Sequence, residues 1–448
     1  MASNVIDSEL YRDYYGTERM RQIFSDTNQV QKWMDCEAAL ARVEARLGII
    51  PESAAKEIQK KASVEFIDLK KIKSEIDKTG HPFVALVKVY KSICEGTSGE
   101  YLHWGATSQD ILDTGMVLQV KEAYAIISNK LEQVYQKVSE KAAEHRDLVM
   151  VGRTNGQQAM PITLGFKFAV WGFELKRNIS RLQECKERLL VGQFAGAVGT
   201  LASLGERGIE VQEAFFSELG LNTPSIAWFT ARDTLAEFAA VLALIATALA
   251  KIGNEVYSLQ KTEIAELEEY CGQDSIGSST MPHKRNPFNS MQIVTLGKLV
   301  RNMAASLMDA SEQEHERDPR GMQVEWEALA KVCLMTDAAL DKTISLVTDI
   351  VVKPENMKRN LELLQGLIFS EAIMLKLAEK IGRQTAHNVV HTLAMQAINQ
   401  RISIKELLLL APETKGIMSA NELDELLAPK NYIGFAQTFV DRLIEEKK

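Results

Sequence analysis

Apolar residues recur at three- and four-residue spacing along most of the chain, and few segments alternate between apolar and polar residues. Strong helix formers with this spacing fill Val30 to Leu47 and Val117 to His145. The run from Asp233 to Glu269 contains no proline, and we predict one very long helix there. Long helices lying side by side bury their apolar stripes in a bundle. The pattern therefore predicts an all-α protein.

The most hydrophobic window runs from Phe238 to Ala250, thirteen residues flanked by charged ones. A helix that spans a bilayer needs about 20 apolar residues, so we expect a buried helix here and no membrane partner. With 448 residues, 46% of them hydrophobic, the chain can bury a large core divided over more than one domain. A net charge of -8 without a basic stripe argues against nucleic acid as a partner.

The sequence also bears on the cellular compartment. The N-terminal segment is polar and acidic, without the apolar run that a secretory signal needs. The five cysteines are odd in number and widely spaced, which is typical of reduced thiols rather than of a disulfide framework. We therefore expect a cytoplasmic protein.

Prolines and Gly/Ser clusters separate the helical runs. The clusters near residues 95–108, 152–165, 192–205 and 272–279 are predicted loops, where chemistry is most often placed. Shorter helices begin near Lys353-Pro354. We predict three domains: an N-terminal helical domain over residues 1–110, a central long-helix bundle over 111–352 that carries the loop 272–290, and a small C-terminal helical domain over 353–448.

The segment Gly272 to Ser290 reads GQDSIGSSTMPHKRNPFNS and concentrates polar side chains between helical runs. Its two prolines exclude a regular helix or strand, so we expect a loop. Ser278 and Ser279 offer hydroxyls, Lys284 a positive charge and Asn286 a neutral amide. Together these groups can hold a carboxylate and stabilise negative charge that develops on it. The alternative is a polar surface loop without a function.

This loop resembles the GSSxMPxKxN signature of the fumarase/aspartase superfamily. Three further blocks resemble that family in the same order along the chain: Trp33 to Pro51, Tyr101 to Thr114 and Gly152 to Gly165. The resemblance covers nearly the whole chain. It is strongest to the branch that contains the 3-carboxy-cis,cis-muconate cycloisomerases and the adenylosuccinate lyases.

The resemblance implies a three-domain, all-helical fold whose central bundle forms a twenty-helix core in a homotetramer. It implies active sites shared between three subunits, a small di- or tricarboxylate substrate and no cofactor. His387 and His391 lie four residues apart, as metal ligands on a helix do, but no acidic or cysteine partner is near them in the sequence. We therefore expect no metal site.

The resemblance also assigns roles to individual residues. Ser278 takes the position of the base, which removes a proton from the carbon next to a substrate carboxylate, and His103 is the second catalytic candidate. Arg232 and the adjacent Asp233 are equally consistent with a structural salt bridge. The positions that match substrate contacts are His81, Thr107, Ser108, Arg153, Thr154, Asn155, Gln157, Trp228, Arg232, Ser279, Met281, Lys284 and Asn286.

Asn155 departs from the family pattern, because relatives that expel an amine carry histidine there. Asparagine cannot donate a proton at working pH, and a general acid contributes about two to four orders of magnitude in rate. A carboxylate expelled from a lactone needs little protonation, so Asn155 favours cycloisomerase chemistry. Trp228 and the block Gln313 to Leu329 resemble the cycloisomerases too. Tyr14-Tyr15-Gly16 replaces the Arg-Tyr-Ser phosphate contact of adenylosuccinate lyases.

We therefore predict a cofactor-independent lyase or cycloisomerase that acts on a succinate- or muconate-type polycarboxylate through a carbanion. One alternative is a carbon-nitrogen lyase that releases fumarate from adenylosuccinate or another substituted succinate. A second alternative is a catalytically silent homologue, against which the complete serine loop argues. The leaving group and the general acid stay open at this level.

Overall fold

The computed structural model describes residues 4–272, 278 and 280–445, and most of this part of the chain is helical. The α-helices are α1 (Glu18–Ile23), α2 (Asp26–Arg46), α3 (Glu52–Lys60), α4 (Leu69–Thr79), α5 (Pro82–Ile93), α6 (Ser108–Glu144), α7 (Leu164–Leu189), α8 (Gly208–Leu219), α9 (Asp233–Leu259), α10 (Phe288–Asp309), α11 (Pro319–Thr348), α12 (Pro354–Glu362), α13 (Ser370–Ile381), α14 (Arg383–Gln400), α15 (Ile404–Leu410), α16 (Ala420–Leu426) and α17 (Ala436–Glu445). The strands are β1 (Val149–Thr154), β2 (Gln157–Thr163), β3 (Leu267–Glu268) and β4 (Val351–Val352). The all-α prediction is confirmed.

Local sequence sets several of the helix ends. Ser25 precedes α2, and its hydroxyl accepts a hydrogen bond from the backbone N–H of Asn28, which would otherwise lack a partner in the first turn. Gly80 ends α4 with a φ of +68°, a conformation that costs glycine little. At α16, Ser419 and Glu422 form a reciprocal capping box.

The chain divides into two compact units. Unit 1 comprises Met1–Glu132, Arg177–Ala250 and Gln292–Asp341, and unit 2 comprises Gln133–Lys176, Lys251–Met291 and Lys342–Lys448. The borders fall within α6, α7, α9, α10 and α11, so each unit is built from separate stretches of the sequence. The three domains expected from the sequence stay a prediction.

In unit 1, α2 packs against α3 and α8 and buries an apolar face that includes Trp33, Met34 and Leu40. Two glutamates, Glu37 and Glu44, are buried on the same helix. Neither carboxyl oxygen of Glu44 has a hydrogen-bond partner among the described residues. Burial, helped by the charge of Glu37, raises the pKa of Glu44 to about 9, so this side chain is a neutral acid at pH 7.

In unit 2, β1 and β2 form an antiparallel hairpin, and β3 pairs with β4. The helices α13, α14 and α15 pack together around an apolar cluster that includes Ile373, Leu377, Val390 and Leu408. Val151 of β1 belongs to the same cluster.

The block from Gly152 to Gly165 lies largely in a hairpin, whereas we expected a loop between helices. Thr154 pairs with Gln157, which leaves Asn155 and Gly156 as a two-residue turn with φ values of +52° and +77°. Asn-Gly is the sequence that such turns favour, because both positions require a positive φ. The sequence therefore contained this signal, and our prediction missed it.

Helix α9 ends at Leu259, ten residues before the end that we predicted at Glu269. The chain then turns, with Ala265 at a φ of +51°, and enters β3. The turn brings the buried Glu266 to Asn360, whose side-chain nitrogen donates to the carboxylate at 2.8 Å. No proline or glycine marks this turn, and the buried polar contact explains why the helix stops.

By length and composition alone, α9 could cross a membrane, and 61% of its most apolar window is buried in the structure. The buried residues include Phe238, Leu242, Ile245 and Leu249. An apolar core helix passes the same test, so the feature is weak evidence for a membrane span.

Candidate active site

The signature loop belongs to unit 2. Ser278 Oγ accepts hydrogen bonds from the backbone N–H groups of Thr280 and Met281, at 3.3 and 3.1 Å. Two donors on one hydroxyl oxygen stabilise negative charge on that oxygen, which favours its deprotonated form. The same contacts cap a turn, which is the structural alternative for this hydroxyl. Ser279 and residues 273–277 lie outside the described residues.

A cleft of about 1000 Å³ is lined by the end of α9, the turn that follows it, and the loop from Met281 to Pro287. Lys284 and Asn286, which the resemblance assigns to carboxylate binding, both line it, as does Met281. Four Lys or Arg side chains and two Glu side chains contribute to the lining, so its net charge is positive. A positively charged cleft attracts a substrate with two carboxylates.

Glu268 forms ion pairs with two of the four cations in this cleft. Its carboxylate lies 2.5 Å from Arg285 Nη1 and 3.1 Å from Lys353 Nζ. Partial burial raises the pKa of Glu268, but the hydrogen bonds from the two cations outweigh this effect and lower the pKa overall. The other two cations, Lys261 and Lys284, have no ion-pair partner among the described residues.

The carboxylate of Glu269 fixes the start of α10, directly after the loop. It accepts hydrogen bonds from the backbone N–H groups of Asn289 and Ser290, at 2.8 and 3.1 Å, and from Ser290 Oγ at 3.1 Å. A carboxylate at a helix N-terminus satisfies donors that lack partners within the helix and complements the helix dipole. The C-terminal end of the loop is thereby anchored.

The hairpin carries four of the predicted substrate contacts. Arg153 donates from Nη1 and Nη2 to the carboxylate of Glu266, both at 2.8 Å. Thr154, Asn155 and Gln157 are exposed at the tip. In this structure Arg153 therefore has a structural partner, and its contact with a substrate stays a prediction, as do those of the three residues at the tip.

In unit 1, a buried carboxylate holds His103. One oxygen of Glu37 accepts from the backbone N–H of His103 at 2.8 Å, and the other lies 2.8 Å from His103 Nδ1. His103 has a φ of +61°, which is uncommon for a residue other than glycine. The ring of Phe83 packs against the imidazole with 4.8 Å between centroids.

The environment of His103 favours its charged form. Burial is the largest single influence and lowers the pKa, but the charge and hydrogen bond of Glu37, with the charge of Asp110, outweigh it and raise the pKa overall. A histidine with a raised pKa is protonated over more of the neutral pH range and can act as a general acid.

Asp110 holds together backbone groups in and near the block from Tyr101 to Thr114. Its carboxylate accepts from the backbone N–H groups of Thr107 and Ala195, both at 2.8 Å, and of Gly196 at 3.0 Å. Burial raises the pKa of Asp110 to about 6, although these hydrogen bonds oppose the shift. Ser108 is the first residue of α6. The carboxylate thus ties the segment before α6 to the Gly-rich segment near residue 195.

Arg317 is a candidate that the sequence analysis did not select, although it lies in the block Gln313 to Leu329. Its Nη1 donates to Thr107 Oγ1 at 3.1 Å and its Nη2 to the carbonyl of Ala197 at 2.8 Å. The guanidinium also lies 4.9 Å from the ring centre of Phe229. A guanidinium beside the Thr107 hydroxyl is suited to binding a carboxylate.

Arg232 lies in a buried ion-pair network, but its partners are not the adjacent Asp233. Its guanidinium donates to Asp113, at 2.9 and 3.0 Å, and to Glu325, at 2.8 and 2.5 Å. Burial lowers the pKa of Arg232, but the two carboxylates outweigh this effect and raise it. The ring of Trp228 covers the guanidinium at 4.7 Å. The salt-bridge interpretation of Arg232 is therefore supported, with different partners.

Several predicted residues lie together within their own units. His103 and Glu37 form one contact group in unit 1, and Thr107 lies with Asp110 and Arg317. In unit 2, Met281, Lys284 and Asn286 line the same cleft. His81 caps α5, because its Nδ1 accepts from the backbone N–H of Val84 at 3.4 Å.

Comparisons with known proteins show the family to which the chain is similar. The family model described as Lyase matches residues 14–301, and the one described as Adenylosuccinate lyase C-terminus matches residues 366–443. Adenylosuccinate lyase of Methanocaldococcus jannaschii is 44% identical over 100% of this chain and 96% of its own length. N-acetyl-S-(2-succino)cysteine lyase of Dickeya dadantii is 39% identical over 99% of this chain and 98% of its own length. The crystal structure of 3-carboxy-cis,cis-muconate lactonizing enzyme from Pseudomonas putida gives a TM-score of 0.92 at 38% identity and covers 98% of this chain and 99% of that chain.

An all-helical fold and a signature serine loop beside a basic cleft define a lyase-type enzyme. The chain belongs to the lyase family of the fumarase/aspartase superfamily.

Proposed function

We propose that the chain is a cofactor-independent lyase that releases fumarate from a substituted succinate, with adenylosuccinate as the first candidate substrate. The observation that carries the proposal is the pairing of Ser278, whose oxygen accepts two backbone hydrogen bonds, with Lys284 and Asn286 in the basic cleft. The 44% identity to an adenylosuccinate lyase supports the carbon-nitrogen alternative over the cycloisomerase that we expected from the sequence.

The reaction follows from these groups. The Ser278 alkoxide takes a proton from the carbon next to a carboxylate, and the C–H electron pair moves into that carboxylate. Lys284 and Asn286 stabilise the additional negative charge. The electron pair then returns to form the carbon-carbon double bond of fumarate, and the leaving group departs with the electrons of its bond and takes up a proton.

A second candidate is a carbon-sulfur lyase that acts on an S-succinyl thiol. Two observations favour it: Asn155 offers no acid to an amine, and Tyr14-Tyr15-Gly16 lacks the phosphate contact that a nucleotide needs. A thiolate leaves more readily than an amine, because the pKa of a thiol is only about 8.5. The 39% identity to N-acetyl-S-(2-succino)cysteine lyase supports this candidate.

The remaining parts of the proposal concern the assembly and the compartment. We expect a homotetramer with active sites shared between three subunits, in the cytoplasm. The mass of the particle in solution, measured by light scattering, tests the assembly. A stable monomer with full activity would contradict it.

One experiment separates the candidate reactions. Purified protein is given adenylosuccinate, N-acetyl-S-(2-succino)cysteine and 3-carboxymuconate in parallel, and fumarate or lactone formation is measured, with the Ser278→Ala variant as the matched control. We expect fumarate from adenylosuccinate. If fumarate forms only from N-acetyl-S-(2-succino)cysteine, the protein is the carbon-sulfur lyase of the second candidate. If only the lactone forms, the protein is a cycloisomerase, as we expected from the sequence. A folded protein without activity on any of the three would support a catalytically silent homologue.

A further inference from the structure

The contact between Glu37 and His103 has an unusual geometry. Glu37 is 1% exposed and lies in the interior of α2, yet its two oxygens hold two different nitrogens of the same residue. One contact fixes the backbone of His103, which has a positive φ, and the other fixes its ring. A carboxylate placed in this way restrains both the position and the rotation of the imidazole.

The contact also decides which ring nitrogen carries a proton in the neutral histidine. A carboxylate accepts hydrogen bonds and does not donate, so Nδ1 must carry hydrogen whenever the contact is made. The other nitrogen, Nε2, is then the one that gains or loses a proton. We propose that Glu37 is a positioning residue that holds His103 as a general acid with Nε2 available to the leaving group. This inference rests on the proposed lyase function.

In the reaction, the imidazolium gives the proton on Nε2 to the leaving atom as that atom departs with the bonding electron pair. The imidazole becomes neutral and keeps its hydrogen on Nδ1, where Glu37 accepts it. Exchange with solvent returns a proton to Nε2.

The charges around His103 agree with this role. Glu37 from α2 and Asp110 from α6 both favour the charged imidazole, and together they outweigh burial, which raises its pKa. Helix α5 also contacts His103, through the uncharged ring of Phe83. The backbone contact fixes the position of His103, and the ring contact in addition favours its charged form.

The test is a titration that does not depend on turnover. The protein carries seven histidines, which are labelled with ¹³C at the ring carbon between the two nitrogens, and the His103 signal is assigned by its loss in His103→Asn. In Glu37→Gln we expect the pKa of His103 to fall by about 1 to 3 units, because a close opposite charge is lost. The matched control is Glu44→Gln, on the same helix, which replaces a carboxyl that is already neutral at pH 7 and should leave the titration unchanged. An unchanged His103 titration in Glu37→Gln would overturn the inference.

Two further measurements separate this inference from the proposed function. With the substrate found above, the loss of kcat at alkaline pH should begin at lower pH in Glu37→Gln, with KM little changed. Glu37→Asp keeps the negative charge, so the pKa of His103 in this variant should stay close to that of the wild type. If Glu37→Gln fails to fold, Glu37→Asp still allows the titration to be measured. If the pKa of His103 falls in Glu37→Gln but the protein acts on no compound of the panel, the proposed function is contradicted and the inference about Glu37 is not. If the pKa of His103 falls in Glu37→Gln but the pH profile of kcat does not change, His103 is not the general acid.

Discussion

At the scale of single residues, Ser278 has a local environment that suits a base. The two backbone N–H groups on its oxygen offset part of the cost of forming an alkoxide, while Lys284 and Asn286 lie in the cleft beside the loop. One short segment therefore supplies both the proposed base and the groups proposed to stabilise the carbanion. Removing the hydroxyl should affect the chemical step and leave the binding groups in place.

The first prediction concerns Ser278→Ala. We expect kcat to fall by about two to four orders of magnitude, since the variant lacks the group that removes the proton. KM should change little, because Lys284 and Asn286 remain. Steady-state kinetics on the substrate identified by the panel measure both constants. A kcat close to that of the wild type would refute the assignment of the base.

The second prediction concerns the buried acid Glu44. Its pKa is about 9 in the folded chain, against an ordinary value of 4.5, so the unfolded chain releases its proton at much lower pH. The stabilising contribution of the neutral acid is complete below pH 4.5 and is lost as the pH rises towards 9. Over this window the loss amounts to up to about 1.4 kcal/mol for each pH unit.

Glu44→Gln should remove this dependence, because an amide does not titrate. We expect the variant to unfold at higher denaturant concentration than the wild type at pH 8, with a difference that shrinks towards pH 4.5. Urea unfolding at several pH values measures the two free energies. A constant difference across the range would show that Glu44 does not titrate as described.

Which residues lie in the candidate site was partly readable from the sequence. Ser278, Lys284 and Asn286 occur within one short motif, so their common position follows from their neighbours in the chain. Glu37 and His103 are 66 residues apart, and no local pattern relates them. The only signal was a charged residue within the apolar stripe of α2, since a carboxylate is rarely buried without a partner.

At the scale of secondary-structure elements, the β1–β2 hairpin gives Asn155 a second explanation. The turn needs a positive φ at this position, and asparagine adopts it more readily than most residues. Asn155 therefore satisfies the turn whatever its role towards a substrate. The absence of histidine at position 155 therefore does not by itself identify the leaving group. A variant that carries an acid at this position is needed to test the chemistry.

The third prediction is made for this turn. If the leaving group is an amine, Asn155→His should raise kcat on adenylosuccinate, because it restores an acid at the position where relatives carry one. Asn155→Gly is the matched control, since glycine accepts the positive φ but offers no side chain. The comparison is made by fumarate release at a fixed pH. An equal or lower rate for the histidine variant would show that position 155 does not supply the acid for an amine leaving group.

Element boundaries show where sequence reasoning fails. The periodicity of α2, α6 and α9 was visible, because an amphipathic or buried helix repeats over many residues. The end of α9 was not visible, because it depends on Glu266 reaching Arg153 and Asn360, which are distant in the sequence. The helical pattern continues beyond Leu259 in the sequence, but the chain turns there and the buried Glu266 forms its contacts with Arg153 and Asn360.

At the scale of the whole molecule, Arg232 joins three distant stretches of unit 1. It precedes α9, while Asp113 lies on α6 and Glu325 on α11. All three side chains are nearly inaccessible to solvent. Removing one member of such a network leaves buried charge without compensation.

The fourth prediction follows from this network. Arg232→Met should lower the free energy of unfolding by about 3–5 kcal/mol, because Asp113 and Glu325 then face each other without a cation. Arg188→Met is the matched control: Arg188 is largely exposed and pairs with Glu237 on α9, so its loss should cost about 0–1 kcal/mol. Denaturant unfolding of both variants provides the comparison. If the two variants lose equal amounts of unfolding free energy, the Arg232 network does not stabilise the fold more than an exposed ion pair does.

The Arg232 network also restricts how this chain can diverge or be recombined. Its members lie at positions 113, 232 and 325, so a single crossover between related chains at any point from 113 to 325 is enough to bring them from different parents. A parent with a neutral residue at one position would leave an unmatched charge in the hybrid. Hybrid proteins should therefore fold stably mainly when all three positions come from one parent, even though each segment is stable in the protein from which it was taken.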